Sequence, residues 1–305
     1  MKKLAISFIT FNRAKHIKED LDVIAQPTKD LDIDIYIYDG STNMFTEYVV
    51  NQYIKNKYNH IQYFHMINVS SKKRVSHALH CPEAEYVWLC GDKFVIKPEY
   101  YSQILSYIDK SYDIITIYGN ILNGTKKFNN PVDFVDYAIV PITHFGSTII
   151  KKNLIDSFSV RKSINKNPSF GVQSVYLEAI NNCKKFKGIV IDGGNQINIK
   201  SFYNTKSVSQ SYMWDSWVID WYKFIDMLPS SYNTIKDNLY NRPDLHMGFF
   251  NIKELLRQRS EGQFDWKKYI KCRKYSKKVI IMPWIYVFGI SILPQNIAKK
   301  CMNLK

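Results

Sequence analysis

The first ~110 residues alternate short apolar runs with helix-spaced segments, and this order constrains the fold more than any other property of the chain. Residues 3–11 form a β-rich run that ends at the polar pair Asn12-Arg13. Residues 14–25 carry Ile17, Leu21 and Ile24 at helical spacing and are expected to stop at Pro27. A second strand is expected over 34–38, a helix over 47–58, a third strand over 61–66, a helix over 72–80 and a fourth strand over 86–89. Strands separated by helices pair in parallel, because only a crossover of this length returns the chain to the same edge of a sheet. The expected fold is therefore α/β, a mostly parallel sheet flanked by helices.

In such sheets ligands collect beyond the carboxyl ends of the strands. Three polar strand ends fall there: Thr10-Phe11-Asn12-Arg13, Asp39-Gly40-Ser41-Thr42 and Gly91-Asp92-Lys93. Asp39 could accept hydrogen bonds from a nucleobase or ribose, and Asp-Gly-Ser-Thr is equally good turn or helix-capping chemistry. Lys72-Lys73-Arg74 opens a helix between the third and fourth strands, where a fixed guanidinium could reach a diphosphate. Asp92 follows the most apolar short strand of this half and stands beside a glycine, which permits close approach of a ligand.

The middle of the chain is less regular. Strands are expected over 113–118, 147–150 and 188–191, and helices from 153, over 173–182 and over 212–228, the last containing Trp214, Trp217 and Trp221. From Phe264 the character changes. Residues 265–278 are basic and aromatic, and 279–294 contain no charge but are interrupted by Pro283, Gly289 and Pro294. A membrane-spanning helix needs about 20 apolar residues. This run is shorter, so it reads as a segment lying in a bilayer interface, with Trp284 and Tyr286 at headgroup level, or as an ordinary core element. The expected organisation is 1–110, 111–228 and a helical basic extension over 229–305.

Charge supports that division. The formal net charge is +15, but residues 251–305 hold 13 Lys/Arg against 3 Asp/Glu and so carry +10 of it. The basicity belongs to the tail, and with no zinc-ligand spacing and no RNA-binding signature it points to an anionic membrane surface rather than nucleic acid. Five scattered cysteines without a C-x-x-C pair fit a reducing, cytoplasmic setting. The apolar start at Leu4–Phe11 is too short and too polar for a signal peptide and is expected to be the buried first strand.

Taken together, Ser7-Phe8-Ile9-Thr10-Phe11-Asn12-Arg13, Asp39-Gly40-Ser41-Thr42 and Arg74 ahead of Trp88-Leu89-Cys90-Gly91-Asp92 resemble the family 2 glycosyltransferases, inverting enzymes of GT-A fold that use nucleotide-activated sugars. The resemblance covers about residues 3–100 well and 101–225 weakly. It implies that Thr10, Asn12 and Arg13 line the nucleotide pocket, that Asp39 holds the nucleobase or ribose, that Arg74 contacts the nucleotide, and that Asp92 faces ribose and a divalent metal (Mn²⁺ or Mg²⁺). It further implies transfer from a nucleotide sugar, most plausibly a UDP-sugar, to a lipid-linked or surface-glycan acceptor on the inner face of the membrane.

The departures from the family pattern matter. Asp92-Lys93-Phe94 lacks the second acid that usually ligates the metal. Lys93 could offset diphosphate charge in its place, or point to solvent. The family's catalytic carboxylate aligns with Gln173 in Phe170-Gly171-Val172-Gln173, and glutamine cannot take a proton. Glu178 and Asp192 are the nearest carboxylates and the candidates for the base. His144 stands where acceptor-side contacts are expected. Gln210-Ser211-Tyr212-Met213-Trp214 resembles the Q-x-x-R-W element of processive members with Met213 in place of arginine, which favours single addition. The missing acid and displaced base also admit a non-catalytic glycosyltransferase-like subunit that binds a partner or glycan.

Overall fold

In the computed structural model of the chain, residues 1–92, 94–118, 124–193, 197–199 and 213–303 are described. The chain divides into two compact units, 1–166 with 171–201, and 167–170 with 202–305.

The first unit contains the strands β1 (Lys2–Thr10), β2 (Ile33–Asp39), β3 (Ile61–His65), β4 (Ala84–Gly91), β5 (Phe94–Ile96), β6 (Ile114–Tyr118), β7 (Lys126–Phe128), β8 (Thr148–Lys151), β9 (Gly188–Asp192) and β10 (Ile197–Ile199). Its helices are α1 (Ala14–Lys29), α2 (Phe45–Lys55), α3 (Ser71–His80), α4 (Tyr101–Asp109), α5 (Pro131–Ala138), α6 (Lys152–Asp156), α7 (Val160–Ile164) and α8 (Gly171–Asn181). Eight strands form one sheet in the order β3-β2-β1-β4-β8-β6-β9-β7, and β5 pairs with β10 in a small antiparallel ribbon. The pairs among β3, β2, β1 and β4, and β6 with β9, are parallel, while β8 runs antiparallel between β4 and β6.

Central strands buried on both faces must be apolar throughout, and Leu4, Ile6, Ile35, Ile37, Val87, Trp88, Ile115 and Ile149 are each 2% exposed or less. Helix α1 lays Ile17, Leu21, Ile24 and Ala25 on this core. It continues to Lys29 past Pro27, where a stop was expected. The Thr28 hydroxyl donates to the Ile24 carbonyl (2.7 Å), so the last turn is held by a side chain beside the residue that lacks an N–H. Helix α3 starts at Ser70, whose Oγ accepts from Lys73 N.

The second unit is helical: a π-helical stretch (Asp215–Asp220), then α9 (Trp221–Asp226), α10 (Lys236–Tyr240), α11 (Arg242–Met247), α12 (Ile252–Ser260), α13 (Trp266–Val279), α14 (Trp284–Ile292) and α15 (Gln295–Asn303). This unit takes in the tryptophan-rich segment up to Leu228 as well as residues 229–305. Trp214 and Trp221 are fully buried; Trp214 stacks on Phe264 with centroids 4.3 Å apart and donates Nε1–H to Gln258 (2.8 Å). These rings build the core of the unit. Among the described residues no helix is long and apolar enough to cross a membrane.

Candidate functional site

Strand register brings the predicted strand ends into one row. Thr10 pairs with Asp39, Asp39 with His65, and Ile9 with Gly91, which places Asp92 beside Thr10. Further across, Trp88, Ile149, Ile115 and Ile189 share one level, and Gly91, Tyr118 and Asp192 lie three residues beyond it on their strands. The carboxyl ends of β2, β1, β4, β6 and β9 therefore open on a common edge. The antiparallel β8 enters from that edge, so its preceding turn, His144 to Ser147, fills the gap between Gly91 and Tyr118. Trp88 Nε1–H donates to the Gly146 carbonyl (2.7 Å) and pins that turn.

Asp92 is buried, with 5% of its surface exposed. Its Oδ2 accepts from the Thr10 hydroxyl (3.1 Å) and its Oδ1 from Arg13 Nη1 (2.8 Å). The Arg13 side chain is 47% exposed, so a solvent-accessible cation rests on a buried anion at the end of β4. Three of the predicted residues thus meet directly.

Asp39 occupies a different setting. It is fully buried; its Oδ1 accepts from Ser41 N (2.8 Å) and from the Ser41 hydroxyl, and its Oδ2 from Tyr63 OH (2.8 Å). Burial first, and then the Asp39 carboxylate, push the Tyr63 phenol well above its ordinary pKa, so it stays a donor. The carboxylate expected to hold a nucleobase or ribose latches its own loop in this structure. Asn12 adds to the latch. It sits at φ 54°, a left-handed position that asparagine tolerates. Its N–H donates to Ser41 Oγ (2.7 Å) and its Oδ1 accepts from Thr42 N (3.1 Å).

Arg74 reaches this loop from α3. It is only 7% exposed, its Nη1 donates to the Val69 carbonyl (2.9 Å), and its guanidinium carbon lies 5.7 Å from the Phe11 ring centre. Nε is buried without a hydrogen-bond partner. The guanidinium lies directly on Gly40, where a Cβ would fall 1.6 Å from Nη1. Gly40 is therefore needed for close approach rather than for turn geometry. Burial lowers the Arg74 pKa, opposed by Asp39, and the group remains a cation.

On the other side of β4, His144 presents Nδ1 to the Val140 carbonyl (3.3 Å) and packs edge-on against Tyr118 with ring centres 5.0 Å apart. Burial lowers its pKa despite hydrogen bonds that act the other way. Phe145, 40% exposed, stands over Gly91, where a Cβ would come 3.1 Å from the ring. Gln173 is buried in the first turn of α8 and donates to the carbonyls of Ile142 (3.1 Å) and Thr143 (3.3 Å), bracing this turn.

The two candidate bases separate cleanly. Glu178 lies five residues past Gln173, about 7.5 Å down α8 and away from the ligand edge. Its Oε2 accepts from Lys166 (2.6 Å) and Ser163 (2.5 Å). Burial would raise its pKa, but those partners outweigh it and the net shift is downward. Glu178 thus joins α7 to α8 in this structure. Asp192 ends β9 on the common edge, partly buried and in register with Tyr118. It stands three strand spacings from β4, roughly 14 Å.

As a metal site the constellation is thin. Asp92 follows β4, and both its oxygens are engaged. Among the described residues no group of three or more His, Cys, Asp or Glu could hold an ion. An ion bridging two phosphates needs few protein ligands, however, and the one group to be displaced from Asp92 Oδ1 is the half-exposed Arg13. Lys93 and the Gln210–Tyr212 part of the processive-type element lie outside the described residues. Phe11, Tyr63 and Gln173 take structural places at this edge that the sequence did not single out as site residues.

No protein-family model matches the chain, and no curated protein does. Solved structures do. S. aureus TarS 1-349 in complex with UDP-GlcNAc matches over 98% of this chain and 88% of its own, with TM-score 0.55 and 15% identity. The mannosyltransferase PcManGT from Pyrobaculum calidifontis, in complex with GDP-Man and Mn2+, matches over 99% and 87%, with TM-score 0.53 and 11% identity. A longer S. aureus TarS structure matches with TM-score 0.56 and 16% identity over 91% of this chain, which spans about half (50%) of that one. At these identities the likeness establishes the fold: a GT-A-type, mostly parallel α/β sheet with a helical, basic C-terminal extension.

Proposed function

We propose that the chain is a glycosyltransferase that moves a sugar from a nucleoside diphosphate, most plausibly UDP, to a glycan or lipid-linked glycan acceptor with inversion. The observation that carries this reading is the pairing of cations with a buried acid at one strand-end row: Arg13 on Asp92, and Arg74 with an unpartnered Nε two strands away. A diphosphate supplies acceptors for both guanidiniums. Two solved structures of the same fold hold UDP-GlcNAc and GDP-Man, which supports a sugar-nucleotide donor.

In this reading Thr10, Asn12 and the Asp39 latch shape the base-and-ribose end, while Arg13 and Arg74 offset diphosphate charge, a role Lys93 would share. Asp92 would hold a divalent cation, which would neutralise charge building on the leaving group. Asp192 takes the proton from the acceptor hydroxyl as its oxygen bonds to the anomeric carbon. The bond from that carbon to the phosphate oxygen breaks on the opposite face, the nucleoside diphosphate leaves with the electron pair, and configuration inverts. The Phe145 ring and His144, both with exposed surface, line the acceptor side.

The test is UDP titration by calorimetry together with a UDP-sugar turnover assay. Binding in the micromolar range, lost by at least ~10-fold in Asp92→Ala, is the expected result. A protein that neither binds UDP nor consumes any UDP-sugar overturns the reading. A protein that binds glycan with equal strength when Asp92 is replaced, and turns over nothing, is the non-catalytic subunit instead.

A further inference from the structure

The second unit presents an apolar face that its own core does not use. On α14, Val287 and Ser291 turn inward and are buried. Trp284, Ile285, Phe288 and Ile292 fall within an arc of about 100° on the outside, and are 55%, 54%, 36% and 53% exposed. The helix is pinned at both ends. Ile281 N donates to Asp244 Oδ2 (2.9 Å), and Arg259 Nε donates to the Leu293 carbonyl (2.5 Å). Asp244 is itself buried and also accepts from Phe250 N (3.1 Å). The outward face is therefore built into the fold rather than the product of a loose end.

Its surroundings are cationic. Phe288 packs on Tyr269 of α13 with ring centres 5.7 Å apart. Beside Tyr269, residues Trp266, Ile270, Arg273 and Lys277 share an arc of about 60° of α13, and all four are exposed. Lys299 and Lys300 are exposed on α15, immediately after α14. An exposed apolar stripe of this size on a soluble surface marks a docking site. A second copy of the chain is a poor occupant, because an isologous contact sets each patch against itself and would bring these cations together. A surface with an apolar interior and an anionic rim meets both features.

We propose that the α13–α14 face seats the protein on an anionic lipid bilayer, with Trp284, Ile285, Phe288 and Ile292 entering the acyl boundary and the lysines and Arg273 lying on lipid headgroups. The inference stands on the second unit alone and does not depend on the transferase reading.

Flotation of the full chain with lipid vesicles tests it. With phosphatidylcholine containing about one-third phosphatidylglycerol, most of the protein is expected to float; with phosphatidylcholine alone, little. The double variant Trp284→Ser/Phe288→Ser is expected to lose at least ~10-fold in vesicle binding while UDP binding and melting temperature stay unchanged. Lys299→Glu/Lys300→Glu is expected to weaken binding to the anionic vesicles alone. Failure of the unaltered chain to float, or flotation indifferent to both double variants, overturns the proposal. So does a stable oligomer in solution that Trp284→Ser/Phe288→Ser dissociates, which would make the face a protein contact.

Discussion

The two flanks of the ligand edge are built differently, although one sheet carries both. On the β3-β2-β1 flank, functional-looking groups are bound to each other. Asp39 is closed by Ser41 and Tyr63, Asn12 ties the loop after β1 to the loop after β2, and Arg74 is laid on Gly40. On the β8-β6-β9 flank, side chains brace the backbone. Gln173 and Trp88 hold the turn around His144, and Asp192 is the last residue of β9. The first arrangement fixes the loops after β1 and β2 to each other. The second fixes one turn, with the carboxylate of Asp192 at the end of the neighbouring strand β9.

The largest effect is expected at the two candidate carboxylates. Asp192→Asn should reduce kcat by ~100-fold or more with donor binding intact, the ordinary cost of losing a general base. Glu178→Gln should leave kcat within about threefold and cost about 1 kcal/mol of stability through its bonds to Lys166 and Ser163. Steady-state kinetics and thermal melts on both variants decide this. The reverse pattern would move the base to α8 and undo the division drawn here.

Much of the first flank was legible because its determinants are local. A strand end followed by Asp-Gly-Ser-Thr announces a loop, and the parallel register then aligns Thr10, Asp39 and Asp92 without further information. What the sequence could not reveal is the use of each group. Asp39 looks the same on paper whether its oxygens face a ribose or its own Ser41, and only the approach of Tyr63 from β3 decides it. The second flank was harder to read because β8 is antiparallel. Its contribution enters from the turn before the strand, so His144 and Phe145 reach the edge in reverse chain order. Glu178 was attractive by its distance in sequence from Gln173, yet a helix carries a residue five positions on away from the edge.

A smaller effect tests whether the first flank is as tightly fitted as it looks. Gly40→Ala places a methyl group where Arg74 Nη1 now lies. Arg74 is a long side chain and can yield, so the fold should survive while the guanidinium leaves its place. UDP affinity is expected to fall about tenfold, or ~1.4 kcal/mol, with little change in melting temperature. Unchanged affinity would mean that Arg74 braces the loop and never touches the nucleotide.

The smallest expected effect belongs to His144 and concerns pH. Burial lowers its pKa below the ordinary 6.5, so in the folded chain it gives up its proton more readily than in the unfolded chain. Between the lowered value and about 6.5, the unfolded state binds more protons, and stability rises with pH. The contribution is full above that window and is lost as the pH falls through the folded value. His144→Gln removes the titrating group while keeping an N–H donor beside Val140. It should flatten the acid side of the stability profile slightly, since solvent screens an exposed ring, as measured by urea unfolding at several pH values. His60, whose pKa burial also lowers, leaves a residual slope of the same sign. An unaltered profile would mean that solvent cancels the effect of the surroundings on His144, and that the turn before β8 does not set its protonation.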